Sequence, residues 1–160
     1  MKLGMNTVIF GAVDLETALQ HVEWAGYEFV ELAAIHGMAE HIKIGDDAQR
    51  IKDLLAQHNL TATAIEAATN DRERLAGIFK LASKIGIGIV NIGSGGATGD
   101  EASTKSSINL MREFAQMAGD TGVKLAVKPH VGQAIYNAET GLRLMSEVTE
   151  PAIGLNFDPS

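Results

Sequence analysis

Leu125-Ala126-Val127-Lys128-Pro129-His130-Val131-Gly132 and Ile153-Gly154-Leu155-Asn156-Phe157-Asp158-Pro159-Ser160 are the two stretches on which the reading of this chain turns. Each opens as a short apolar run and ends on charged or turn-forming residues, the pattern of a buried strand that stops at a polar mouth. A helix runs between them from about Ala138 to Val148 and is closed by Pro151. The unit is therefore strand, helix, strand, with polar residues gathered where the strands end.

The same unit recurs toward the N-terminus. The first strand is Lys2 to Asn6, and its helix runs from an Asp14 N-cap to about Ala25, with Leu15, Ala18, Leu19 and Val22 on one face and Gly26 as the stop. The second strand is Phe29 to Ala33, followed by a helix at about Asp47 to His58 that turns Ile51, Leu54 and Leu55 inward. The third strand is Ala62 to Glu66. Asn70 and Glu73 resemble a capping box, and Leu75, Ile78, Phe79, Ala82 and Ile85 follow at helical spacing up to Gly86. Strand four is Ile87 to Ile92, with a helix over about Glu101 to Ala118. Strand five is Lys124 to Val127 and strand six is Ile153 to Phe157. A strand appears about every 30 residues, the size of one β–loop–α unit. Strict alternation predicts an α/β domain over residues 1–160 with a parallel sheet and right-handed crossovers.

Two architectures satisfy that pattern. A doubly wound sheet of the flavodoxin type is complete at about this length. A (β/α)₈ TIM barrel needs about 250 residues, so this chain would be one truncated after about six strands. Three features favour the barrel. No Gly-rich phosphate loop follows the first strand; polar residues end several strands (Asn6, Glu66, Lys128 with His130, and Asp158); and the chain stops at the top of strand six. A barrel gathers such ends into one mouth.

Composition narrows the function. Of 160 residues, 46% are apolar and 21% charged, as in an ordinary globular domain. No apolar run approaches a membrane span, and the first residues lack the apolar core of a signal peptide. Without cysteine, zinc–thiolate sites and thiol nucleophiles are excluded; a cytoplasmic location fits. The net charge of −7 disfavours a nucleic-acid partner, whose phosphates demand Lys and Arg.

The two quoted stretches, with Asn137-Ala138-Glu139-Thr140 between them and Ala25-Gly26-Tyr27-Glu28-Phe29-Val30-Glu31-Leu32 upstream, resemble the xylose isomerase-like sugar phosphate isomerases and epimerases. The resemblance runs through essentially the whole chain, and its most specific piece is Asn-Phe-Asp-Pro-Ser. It implies the barrel. It also implies a divalent cation (Mn, Mg, Zn or Co) held by a Glu ending strand five, an Asp ending strand six, a His on strand seven and a Glu on strand eight. Asp158 matches the strand-six ligand. The strand-seven and strand-eight positions lie beyond Ser160. Lys128 stands where the strand-five Glu is expected, and a charged Lys cannot ligate and repels a cation. Metal binding is accordingly expected to be weakened or absent in this chain.

Each candidate residue has a plainer alternative. Asp158 is a metal ligand or simply opens a turn before Pro159. Lys128 and His130 flank Pro129 and can share one side of an extended segment. Lys128 can bind an anionic group or, desolvated, act as a base or Schiff-base nucleophile; otherwise it is a salt-bridged strand end. His130 is a ligand, an acid–base group or a loop residue. Glu66 is a mouth carboxylate or an exposed strand-end acid. Glu31, among Val30, Leu32 and Ala33, needs a partner and is either functional or structurally paired. Asn6 ends the first strand, and His36 directly follows the second. His36 and His41 do not make a zincin pattern. Gly93-Ser94-Gly95-Gly96-Ala97-Thr98-Gly99 lacks the Lys-Ser/Thr of a nucleotide loop and reads as a flexible loop rather than an anion cradle. The helical Met111, Met117 and Met145 read as core.

The leading expectation is an isomerase or epimerase of a small sugar or sugar phosphate. In it a metal acidifies a C–H beside a carbonyl, and catalytic Lys128, His130 and Glu66 act on a substrate also touched by His36, Glu31 and Asn6. As an N-terminal fragment the chain is expected to lack full activity. The alternatives are a non-catalytic sugar-binding relative and a lyase or aldolase using Lys128. Six parallel strands in sequential order are expected, with helices on one face and the strand-end residues at one mouth. Open barrel edges would favour self-association.

Overall fold

The computed structural model describes residues 2–158. Its strands and helices follow in the order β1 (Gly4–Asn6), α1 (Leu15–Trp24), β2 (Phe29–Ile35), β3 (Ala39–Glu40), α2 (Ala48–Gln57), β4 (Thr61–Glu66), α3 (Arg72–Ile85), β5 (Ile89–Gly93), α4 (Glu101–Gly119), β6 (Lys124–Lys128), α5 (Ala138–Glu147) and β7 (Ile153–Leu155). A 3-10 turn, Thr7–Phe10, follows β1.

The helices begin where the chain offers an acceptor to their free N–H groups. Asp14, Asp47, Asp71 and Asp100 each accept a backbone N–H of the first turn of α1 to α4. Asn137 and Thr140 close a reciprocal capping box on α5. The Asn70 cap expected for α3 is not found: Asp71 Oδ1 accepts from the Arg74 N–H at 2.7 Å. A charged carboxylate is the stronger acceptor at a helix N-terminus, and Asn70 turns toward Gly95 instead. Asp71→Ala is expected to cost about 1 kcal/mol in urea unfolding and to strip hydrogen-exchange protection from the Arg74 amide. Asn70→Ala should leave that amide protected.

The parallel strands run β1-β2-β4-β5-β6-β7 without a reversal, as expected of one barrel wall. Among the described residues β1 and β7 each pair on one side only. Helices α1 to α4 pack side by side in chain order. Ion pairs between Arg72 and Glu113 and between Arg143 and Glu101 stitch α3 to α4 and α5 to α4. Exposed pairs of this kind add little to stability. The core lies between helices and sheet, where Leu75, Ile78, Phe79, Ile108, Met111 and Phe114 are fully buried against Val30, Leu32, Ile65, Val90 and Leu125.

One element has no counterpart in the sequence reading. Strand β2 runs on to Ile35 and folds back on β3 as a small antiparallel hairpin, pairing Ala34 with Glu40 and Ile35 with Ala39. Arg74 of α3 pins it, donating to Ala34 O at 2.9 Å and Glu40 Oε1 at 2.6 Å. His41 is buried behind the hairpin. Its Nδ1 lies 3.0 Å from Thr7 Oγ1, and its Nε2 lies 3.2 and 3.1 Å from the carbonyls of Phe10 and Val13. That makes His41 a satisfied structural histidine. No helix among the described residues is long and apolar enough to cross a membrane.

Candidate active site at the strand ends

Parallel pairing puts the C-terminal ends of all these strands at one side. The register aligns Asn6 with Glu31, Glu66 with Asn91, and Gly93 with Lys128. Because strand side chains alternate between faces, this alignment brings polar groups from β1, β2, β4, β5 and β6 together.

Asn6 is the hinge of the resulting network. Its Oδ1 accepts from the Val8 N–H at 2.9 Å, which caps the 3-10 turn and fixes the orientation of the amide. Its Nδ2 must then face inward, and it donates to Glu31 Oε2 at 2.8 Å and Glu66 Oε2 at 2.6 Å. Asn91 Nδ2 donates to the other Glu31 oxygen. Two carboxylates are thus held side by side by neutral amides. Burial pushes the Glu31 carboxyl above its ordinary value; the Asn91 hydrogen bond opposes this, and the nearby Glu66 charge adds to it.

Lys128 ends β6 with its Nζ 2.7 Å from Asp158 Oδ2. That hydrogen bond holds the ammonium above its ordinary value against partial burial, and the charges of Asp158, Glu66 and Glu31 add to the effect. Lys128 therefore stays charged at neutral pH. This opposes its use as a neutral base or Schiff-base nucleophile.

A cavity of about 260 Å³ lies at these strand ends, lined by Glu66, Asn70, Asn91, Gly93, Gly95, Lys128, His130 and Gln133 among others. His130 Nδ1 lies 2.8 Å from Val131 O, so that nitrogen carries the proton and Nε2 is left as the acceptor. Gln133 Oε1 accepts from the Gly95 N–H at 3.1 Å. The Ala97 N–H donates to Ser103 Oγ at 2.8 Å. Two amides of the glycine-rich segment are thus already spent on side chains, which pins the segment rather than leaving it a loose loop. Two of its glycines stand where a side chain would be crowded and strained. A Cβ at Gly95 would come within 2.2 Å of Asn70 Nδ2, and one at Gly96 within 2.5 Å of Ser103 Oγ, both at positive φ.

Of the expected site residues, Asn6, Glu31 and Glu66 share one hydrogen-bond network, Lys128 pairs with Asp158, and Glu66, Lys128 and His130 line the same cavity. His36 lies elsewhere. Its ring is 79% exposed on the β2–β3 turn, with Nδ1 3.2 Å from Glu40. Asn91, Gln133 and Asn70 were not among the expected site residues. Asn91 carried a readable signal, a polar residue in the apolar run Ile89-Val90-Asn91-Ile92, as Glu31 did in its own strand. Gln133 and Asn70 sit in loops and carried none.

These residues do not fit a divalent cation. The Asp158 oxygen that would face a metal faces an ammonium at 2.7 Å. Among the described residues no group of three or more His, Asp or Glu side chains could hold a metal ion.

The sequence profile of the xylose isomerase-like TIM barrel family matches residues 19–160. No curated protein sequence matches the chain. Among solved structures, a xylose isomerase-like TIM barrel protein from Mycobacterium smegmatis in complex with magnesium superposes with a TM-score of 0.78 at 18% identity, over 98% of this chain and 64% of that one. An AP endonuclease, family 2, from Brucella melitensis gives 0.75 at 20% identity, over 99% and 69%. A D-allulose 3-epimerase from Methylomonas sp. gives 0.71 at 18% identity, over 97% and 62%. The chain thus spans between three-fifths and seven-tenths of the length of these proteins. At such identities the likeness speaks for the fold.

Proposed function

Because the chain belongs to the xylose isomerase-like TIM barrel family, we propose that its mouth moves a proton between carbons of a small uncharged sugar, as in isomerisation or epimerisation, and that these 160 residues hold the carbonyl-activating part of the reaction without full turnover. The observation that carries this reading is one fixed ammonium, Lys128, facing the same cavity as the carboxylate of Glu66. A carbonyl oxygen on Lys128 would acidify the adjacent C–H, and the Glu66 carboxylate would take that proton. The developing oxyanion is stabilised by the ammonium. In an isomerisation Glu66 returns that proton to the former carbonyl carbon, and the hydroxyl proton of the carbon that lost its hydrogen passes to the former carbonyl oxygen. An epimerisation needs a second proton donor for the other face of that carbon, and His130, which lines the same cavity, would have to take up a proton on Nε2 to serve.

Charge selects the substrate. Three carboxylates act on one ammonium, Asp158 in contact with it and Glu66 and Glu31 through their charges. Two of the glycine-rich amides nearby, those of Gly95 and Ala97, are engaged by side chains. A free sugar meets less repulsion there than a sugar phosphate. The acidic composition and this cavity likewise speak against a nucleic-acid backbone as substrate.

The test is hydrogen exchange. The chain is incubated in deuterium oxide with dihydroxyacetone, D-erythrulose, D-xylulose, D-fructose or D-fructose 6-phosphate, and loss of the C–H signal beside the carbonyl is followed by NMR. Slow exchange is expected with at least one free ketose, above the rate of Glu66→Gln, and less with the phosphate. Exchange no faster than the variant for every ketose would leave a binding module. An adduct trapped by borohydride on Lys128 would turn the reading to the lyase.

A further inference from the structure

We propose that Lys128 takes the place of a divalent cation at this mouth, so that the positive charge is carried by the polypeptide and no metal is admitted beside Asp158. The inference deepens the reading of this mouth as the reaction site, and its test does not depend on turnover.

Three features of the site point this way. Lys128 Nζ lies 2.7 Å from Asp158 Oδ2, within charge-assisted hydrogen-bond distance, so the ammonium sits where a cation bound by that oxygen would be. A metal entering there meets a fixed like charge at a few ångströms instead of a ligand. The second feature is how the remaining carboxylates are satisfied. Glu31 and Glu66 are bridged by the amide of Asn6, and Glu31 takes a second amide from Asn91. Neutral donors thus do for these acids what a doubly charged ion would otherwise do. The third feature is direction. The Gly93–Lys128 and Val127–Leu155 pairings set Lys128 at the end of β6 between the β5 and β7 strands, where its ammonium borders the cavity that Glu66 also lines. The charge is therefore placed to meet a substrate oxygen and not merely to neutralise Asp158.

Manganese is the probe, followed by electron paramagnetic resonance on the 160-residue chain at neutral pH. The unaltered chain is expected to show no saturable binding into the millimolar range. Lys128→Glu supplies a ligand and removes the like charge. It should gain a site on the order of tenfold or more tighter, lost again in the Lys128→Glu/Asp158→Asn double variant. If Lys128→Glu does not fold, as judged by circular dichroism, Lys128→Gln removes the charge alone and should still bind manganese better than the unaltered chain. Saturable binding by the unaltered chain that Asp158→Asn abolishes would overturn the proposal. So would folded Lys128 variants that gain nothing, since the lysine would then not be what keeps metal out. Failure of ketose exchange with the manganese results as expected would remove the proposed reaction and leave this inference standing.

Discussion

Phe79→Ala is expected to lower the unfolding free energy by about 3–5 kcal/mol, the range for emptying a buried aromatic site. Phe79 sits on α3, is fully buried, and belongs to the cluster that joins the helices to the sheet. Its ring is lost from a close-packed interior whose other members, among them Ile78, Ala82 and Phe114, are themselves fully buried and leave little room to collapse. A domain of this size holds only about 5–15 kcal/mol in total, so the variant should be marginal or unfolded at ordinary temperature. Urea unfolding followed by circular dichroism measures the change. Phe157→Ala is the control: its ring is 88% exposed and its removal should shift the midpoint little. Equal losses at the two positions would mean that the core does not lie between α3 and the sheet.

The second large effect is at Asn91, and it depends on pH. Asn91 is buried and donates to the Glu31 carboxylate. Asn91→Ala leaves a largely buried charge short of a donor and should cost about 2–3 kcal/mol at neutral pH. The sign of the pH dependence follows from Glu31. Its carboxyl is raised above the ordinary value of 4.5, chiefly by burial. The folded state therefore binds more protons than the unfolded chain as pH rises from 4.5 through the raised folded value. The stability contributed by protonated Glu31 is fully present below 4.5 and is lost across that window. Without Asn91 the carboxyl rises further, so the loss extends to higher pH. The difference between wild type and Asn91→Ala should be largest at neutral pH and fall toward the ~1 kcal/mol of a neutral hydrogen bond as Glu31 becomes protonated in both. Stability of the two proteins in urea between pH 4 and 8 reads this directly. A difference that does not change with pH would mean that Glu31 keeps its charge throughout or carries none.

The opposite trend should come from the surface acids and serves as background. Glu101, held down to about 2 by Arg143, and Glu113 and Glu40, held below the ordinary range by Arg72 and Arg74, favour the fold above their unfolded values and lose that contribution in acid. Both proteins carry these pairs, so the difference between them isolates Glu31.

What this chain's sequence determined by itself is the periodic part. Apolar runs at strand length, helical faces such as Leu75-Ile78-Phe79-Ala82 and stop signals at Gly26 and Gly86 are local properties of the backbone and its neighbours. They placed six parallel strands in order and five helices within a few residues of where they lie. The inward polar Glu31 in an apolar strand was legible for the same reason, and Asn91 carried the same signal without being picked out: an unpartnered carboxylate or amide is not stable in such a strand. Tertiary structure alone decided the rest. The β2–β3 hairpin is too short to leave a period, and Arg74 from a distant helix holds it. The start of α3 passed from Asn70 to Asp71 because the Asn70 amide lies over a glycine turn from another strand. His36 directly follows its strand yet turns out to solvent, where Glu40 meets it. Above all, sequence could say that Lys128 and Asp158 end strands, but not that their charges meet at 2.7 Å. Charge pairing depends on distance across 30 residues of chain, and only parallel pairing of β6 with β7 brings that distance to contact.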